Sequence, residues 1–212
     1  MTAAEYFGAP APLGHLVYLP RGYYRSFGRW PLILSLHGSG AAGRDLRRVE
    51  ADGFPRRAAR GDLPFIVVAP QSPGRGWDAE SLDALLARVL ASYRVDRERI
   101  YLTGLSMGGY GAWALGAAHP ERFAAIAPIC GGGDVAWAGS LSRVPIWAFH
   151  GDRDRVVPPR ESETLVDAVR ELGGDAQLTI YRGVGHDAWT RTYDDPGFYT
   201  WLLAHRRGRP RP

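Results

Sequence analysis

The segment Gly104-Leu105-Ser106-Met107-Gly108, followed by Gly109, places a serine between small residues two positions away on either side. That spacing suits a sharp strand-to-helix turn, where the serine backbone is strained and bulky neighbours would collide. Such a turn raises the hydroxyl above its surroundings and leaves backbone N–H groups beside it. The same residues also have a plain reading, a glycine-rich turn whose serine only caps a helix. Their setting favours the reactive reading: Ile100 to Thr103 is strand-like before the serine, and Tyr110 to Ala118 is helix-like after it. A phosphate-binding loop is disfavoured, because its glycine spacing and lysine are missing and no G-x-G-x-x-G occurs.

A serine hydroxyl becomes a useful nucleophile when a base takes its proton. Of the six histidines, His186 lies in Gly183-Val184-Gly185-His186-Asp187, after the last strand-like run, where glycines let a loop bend back toward the serine. His37 and His150 end strand-like runs in His-Gly pairs and belong near the same place, but they precede the position expected of a base in the order Ser…Asp…His. His15 is expected to precede an early strand, and His119 and His205 to lie at the surface.

The base needs a carboxylate to set its tautomer and steady the imidazolium. His150-Gly151-Asp152-Arg153-Asp154-Arg155-Val156-Val157-Pro158 offers two. Asp154 is preferred, since two further loop residues give it reach away from the strand end. Asp152 is the alternative, with an Asx-type turn as its expected role. Asp187 adjoins the histidine in sequence and is poorly placed to face it.

Charge that builds on a carbonyl oxygen needs donors aimed at it. The N–H of Met107, next after the serine, is one. The second is expected from Leu36-His37-Gly38-Ser39-Gly40, with Ser39 first and Gly38 and Gly40 as alternatives.

These residues fall at the ends of apolar runs. Leu32–Leu36, Phe65–Ala69, Ile100–Thr103, Ala124–Ile129, Ile146–Phe149 and Gln177–Tyr181 read as strands covered on both faces. Helical patterns lie between them. Ser81 to Tyr93 carries an amphipathic face, Met107 to Ala118 is small and apolar throughout, Glu161 to Leu172 stops at Gly173-Gly174, and Phe198 to His205 closes the chain. The alternation predicts an α/β fold with a mostly parallel sheet flanked by helices on both faces. Sites in such sheets lie at the carboxyl ends of the strands.

The chain has 212 residues, 45% of them hydrophobic and 23% charged, which fits one globular domain over 1–212. All 26 of its Lys/Arg positions are arginine, and the formal net charge is +4. The basic stretch Arg206-Arg207-Gly208-Arg209-Pro210-Arg211 reads as a frayed tail over 206–212 rather than a nucleic-acid site. A single cysteine, Cys130, excludes an intrachain disulfide and a cysteine metal cluster. Met1 to Tyr6 has no basic segment leading into an apolar one, and no apolar run approaches membrane-spanning length. A cytoplasmic protein without membrane insertion is expected.

Taken together, the His-Gly-Ser-Gly, Gly-Leu-Ser-Met-Gly-Gly, His-Gly-Asp-Arg-Asp and Gly-His-Asp segments resemble the compact phospholipase/carboxylesterase and polyhydroxybutyrate-depolymerase-like esterases of the α/β-hydrolase superfamily. The likeness runs from about Tyr18 nearly to the end, with Trp189 and the segment from Asp194 to Leu203 sharing in it. It implies a serine esterase with no metal or organic cofactor, acting on a small-molecule ester through Ser106, Asp154 and His186, with Ser39 and Met107 as oxyanion donors. Thioesters, feruloyl esters and small peptides would use the same residues. A non-catalytic binding protein on this fold is the rival from another class. Between Cys130 and Val144 there is no room for a helical cap, so an open cleft is expected. Trp77, Trp137 and Trp189 lie in loops, as cleft walls or as anchors on the core, with Trp77 and Trp189 taken as substrate-binding candidates.

Overall fold

The computed structural model describes residues 5–7 and 13–208, with side chains from residue 13 onward. Eight strands form one sheet in the order β1-β2-β4-β3-β5-β6-β7-β8. They are β1 (Glu5–Phe7), β2 (His15–Tyr18), β3 (Trp30–Leu36), β4 (Ile66–Pro70), β5 (Val95–Leu105), β6 (Ala125–Ile129), β7 (Ile146–Gly151) and β8 (Ala176–Tyr181). From β4 to β8 every neighbouring pair is parallel, whereas β1 on β2 and β2 on β4 are antiparallel.

All six expected strands are present. Of the two antiparallel strands at the N-terminal end of the sheet, β2 is the early strand expected after His15, and β1, only three residues long, was not foreseen. His15, expected ahead of a strand, is the first residue of β2 and pairs with Pro70.

The helices are α1 (Arg47–Glu50), α2 (Gly53–Ala58), α3 (Ala79–Ser92), α4 (Met107–Ala118), α5 (Ala138–Leu141), α6 (Arg160–Glu171), α7 (Trp189–Asp194) and α8 (Pro196–Ala204). Side chains alternate across each strand, so the sheet makes two cores. Leu32, Leu34, Ile100 and Leu102 join one with α3, α4, α5 and α6, through Leu85, Trp113, Leu141 and Leu165. Ile33 and Tyr101 join the other with α2, α7 and α8, through Phe54, Tyr193 and Phe198. Burial on both faces accounts for unbroken apolar strands that lack a polar side.

Two expectations about irregular segments need correction. The segment around Trp137, expected to be loop, contains a short 3-10 turn at Val135–Trp137 and the start of α5, since Asp134 accepts the Ala136 N–H and initiates the turn. The tail does not fray from residue 206. The Arg206 guanidinium lies 2.8 Å from Glu98, and the Arg207 backbone N–H donates to the Glu98 carbonyl at 2.8 Å. Arg209 to Arg211 lie outside the described residues, as do Met1 to Ala4 of the leader reading. Of the two histidines expected at the surface, His119 is partly exposed and bonded to Glu80, and His205 is partly buried against Trp201. No helix among the described residues is long and apolar enough to cross a membrane.

Candidate active site

Ser106 sits between the last residue of β5 and the first of α4, at φ 54 and ψ −119. Left-handed φ is unusual for a residue with a Cβ and marks stored strain. The serine N–H donates to the Ile129 carbonyl at 2.9 Å and its carbonyl accepts from Tyr110 N–H at 3.1 Å, which hold the turn closed. The flanking glycines have a steric origin. A Cβ on Gly104 would overlap the Gly108 carbonyl, and one on Gly108 would overlap the Leu36 carbonyl of β3. The turn therefore packs α4 directly on the ends of two strands.

Three loops converge there. Ser106 Oγ lies 2.9 Å from His186 Nε2, and His186 Nδ1 lies 2.7 Å from Asp154 Oδ2. With the carboxylate as acceptor, Nδ1 carries the proton and Nε2 is left free to accept one from the serine. The Asp154 side chain is fully buried and that of His186 is 20% exposed. Asp154 Oδ1 accepts the backbone N–H groups of Val156 at 2.8 Å and Val157 at 2.9 Å. Burial pushes the Asp154 carboxyl up, but the bonds from His186, Val157 and Val156 outweigh it and hold the group below the ordinary aspartate value. Asp154 thus makes the local loop turn that had been expected of Asp152. Asp152 is exposed, and its carboxylate accepts the Gly183 N–H at 2.7 Å, tying the acid loop to the histidine loop.

The shape of the loop after β3 follows from one buried histidine. His37 Nε2 accepts the Ser72 N–H at 3.0 Å, so the ring proton is on Nδ1, which donates to the Gly38 carbonyl at 2.6 Å. Burial lowers the His37 pKa and favours this neutral form. In a trans peptide the C=O and the following N–H point in opposite directions. Drawing the Gly38 carbonyl toward His37 therefore turns the Ser39 N–H the other way. Ala41 N–H is already used by the Gly38 carbonyl, at 3.2 Å. Met107 begins α4, so its N–H has no helical carbonyl one turn back.

Beside Met107 is a cleft of about 410 Å³ lined by Gly76, Trp77, Met107, Tyr110, Gly111, Ala114 and Trp137. The Trp77 indole packs on Gly111 and its Nε1–H donates to the His37 carbonyl at 3.3 Å. Trp189 does not line this cleft. Its ring stands edge-on to His186 with centroids 5.3 Å apart.

Sequence reasoning put His37 and His150 near the site without giving them a task; the signal was the His-Gly pair at the end of each strand. The Cys130 thiol was missed. It donates to the His186 carbonyl at 3.1 Å from a residue at φ 48. Cys130, His150 and Asp154 present donor atoms within 4.8 Å of one another. They do not fit a metal: burial pushes the Cys130 thiol up to about 12, and both Asp154 oxygens are already taken by protein donors.

Several known proteins are similar. A probable feruloyl esterase C of Aspergillus terreus is 27% identical over 151 residues, covering 68% of this chain and 56% of its own. The poly(3-hydroxyalkanoate) depolymerase C of Paucimonas lemoignei is 26% identical over 87% of this chain and 52% of its own. The chain therefore spans a little over half the length of these relatives. A solved thermostable esterase superposes with a TM-score of 0.83 at 32% identity, over 97% of this chain and 63% of that one. The fold is that of the α/β-hydrolases, as the motifs implied. The profile of the dienelactone hydrolase family matches residues 67–198, which hold the Ser106, Asp154 and His186 loops, and the chain belongs to that family.

Proposed function

We propose that this protein is a serine hydrolase of carboxylic esters, carried by one catalytic domain. The observation that carries the reading is the continuous hydrogen-bonded line from Ser106 Oγ through His186 to the buried Asp154 carboxylate. Ser106 attacks the ester carbonyl while His186 Nε2 takes the hydroxyl proton. Asp154 steadies the imidazolium that forms, and the N–H groups of Ser39 and Met107 receive the charge on the carbonyl oxygen. The tetrahedral intermediate collapses, His186 returns the proton to the departing alkoxide, and an acyl-enzyme remains. Water, activated by the same histidine, repeats the sequence and releases the acid. Ser106, His186 and water account for every proton and electron pair, so the cycle calls for no cofactor.

The cleft beside Met107 supports an ester with an apolar part, of short or medium chain or aromatic. Trp77, Trp137 and Tyr110 give it aromatic walls, and the feruloyl esterase relative acts on an aromatic ester by name. Trp77 is the substrate-contacting tryptophan in this reading. Trp189 acts through its packing on His186. The test is turnover of nitrophenyl esters from acetate to octanoate, together with a hydroxycinnamate ester, by wild type and Ser106→Ala. Loss of at least about a thousandfold in the variant is expected. Equal rates for the two proteins would sink the reading.

A further inference from the structure

His150 is a buried polar group at the site that has no part in the cycle above. It lies near the end of β7, fully buried, and its Nε2 faces two acceptors that bring no proton of their own. The Val157 carbonyl is 2.9 Å away and Asp154 Oδ2 is 3.3 Å away. Nε2 must therefore carry a hydrogen, shared in a three-centre arrangement with the carbonyl nearer. On its other side, Nδ1 lies 2.8 Å from Ser162 Oγ of α6, which bonds the Gly131 carbonyl beyond β6 at 2.7 Å. The ring thus joins β7, the acid loop and α6 through direct hydrogen bonds.

We infer that His150 is a positioning residue for the acid, a second histidine that holds Asp154 beside the oxygen His186 uses. The inference rests on the ester-hydrolase reading above. Two holds act together. Nε2–H fixes the Val157 carbonyl, and the N–H of the same residue clamps Asp154 Oδ1. The same hydrogen faces Oδ2, the oxygen that His186 uses, and draws part of its negative charge away from the His186 bond. The carboxylate consequently offers His186 one fixed lone pair. The groups that face the His150 ring are Asp154 on the acid loop, Ser162 on α6 and the Cys130 thiol beyond β6, with His186 reached through Oδ2.

The test compares His150→Phe, which removes the donor, with His150→Gln, whose side-chain amide reaches the place of Nε2. For each, kcat and KM are measured across pH on a nitrophenyl ester, and the downfield proton resonance of His186 Nδ1–H is recorded without substrate. His150→Phe should lose about 10- to 100-fold in kcat, the worth of one hydrogen bond to a charged group, with KM little changed. Its acidic limb should move to higher pH and its resonance further downfield, because Asp154 Oδ2 then serves His186 alone. His150→Gln should stay within about threefold of wild type in kcat and keep both signatures. A purely structural His150 would lower the folded fraction and leave limb and resonance unmoved in the molecules that remain. That outcome, or a Gln variant as impaired as Phe, would overturn the inference. Failure of the ester-hydrolase reading looks different: wild type itself shows no Ser106-dependent turnover, while the resonance still reports whether His150 holds Asp154.

Discussion

Asp154→Asn gives the sharpest account of the acid's role, because the structure dictates how the new amide must sit. Asp154 Oδ1 accepts two backbone N–H groups, from Val156 and Val157. An asparagine NH₂ in that place would oppose both donors, so the amide oxygen must stay there. The NH₂ then takes the place of Oδ2, 2.7 Å from His186 Nδ1, and also faces His150 Nε2. A donor at that position forces His186 to accept at Nδ1 and to carry its proton on Nε2, which faces Ser106 Oγ at 2.9 Å. The base then meets the serine already protonated, and the charge that steadied the imidazolium is gone. A wrong tautomer of this kind costs about 10³- to 10⁴-fold in kcat, or about 4 to 5 kcal/mol. The volume is unchanged and the loop turn is kept, so the Tm should fall little. The assay is kcat and KM on one nitrophenyl ester for Asp154→Asn beside Asp152→Asn. Asp152→Asn keeps an oxygen to accept the Gly183 N–H and should stay within about threefold of wild type. If Asp154→Asn retained more than about a tenth of wild-type kcat/KM, or lost less than Asp152→Asn, the tautomer argument would be wrong.

Two further predictions rest on the site's packing and its buried histidines. In Gly104→Ala the new methyl meets the Gly108 backbone carbonyl, which cannot rotate aside, so α4 must move off the strand ends; we expect about 1–3 kcal/mol of destabilisation and about a hundredfold loss of kcat/KM from displacement of Ser106, and an unchanged rate in a folded variant would refute this. His37 and His15 both have pKa values lowered by burial, so the unfolded chain takes up protons before the folded one as pH falls. Their contribution to stability is fully present above about pH 6.5 and is lost as pH falls through that value toward the folded pKa, whereas Asp154, held low, adds its own acid lability only below about pH 4. A Tm that stays flat from about pH 7 to pH 5 would contradict the histidine term.

Much of this architecture is legible in the linear chain for reasons that are local. Strands covered on both faces must be apolar without a break, which marks Leu32–Leu36, Ile146–Phe149 and the other inner strands as candidates for a parallel sheet. The turn at Ser106 admits only small neighbours, so Gly104 and Gly108 announce it. The strand-to-helix setting then locates the expected nucleophile. The edge strand β1 escaped notice because an edge of three residues needs neither length nor an unbroken apolar run. The short helices α1, α2 and α7 escaped because one or two turns carry too little periodicity to see.

The choice among polar residues lay beyond local pattern. Asp152 and Asp154 are the same residue type two positions apart, and the one that meets His186 is set by where the His186 loop, 32 residues away, comes to rest. Ser39 gains its orientation from a peptide plane turned by His37, whose own tautomer is set by a donor at Ser72, 35 residues along the chain. His150 looks like any strand-end histidine until α6 brings Ser162 to one side of its ring and the acid loop brings Asp154 to the other. Sequence alone determined the sheet, the turn and the short list of groups able to do the chemistry, because each depends on neighbours within one turn or one strand. Which of those groups face one another, and which proton each holds, was decided only by the tertiary structure, because hydrogen bonds form between atoms that folding brings within about 3 Å from distant parts of the chain.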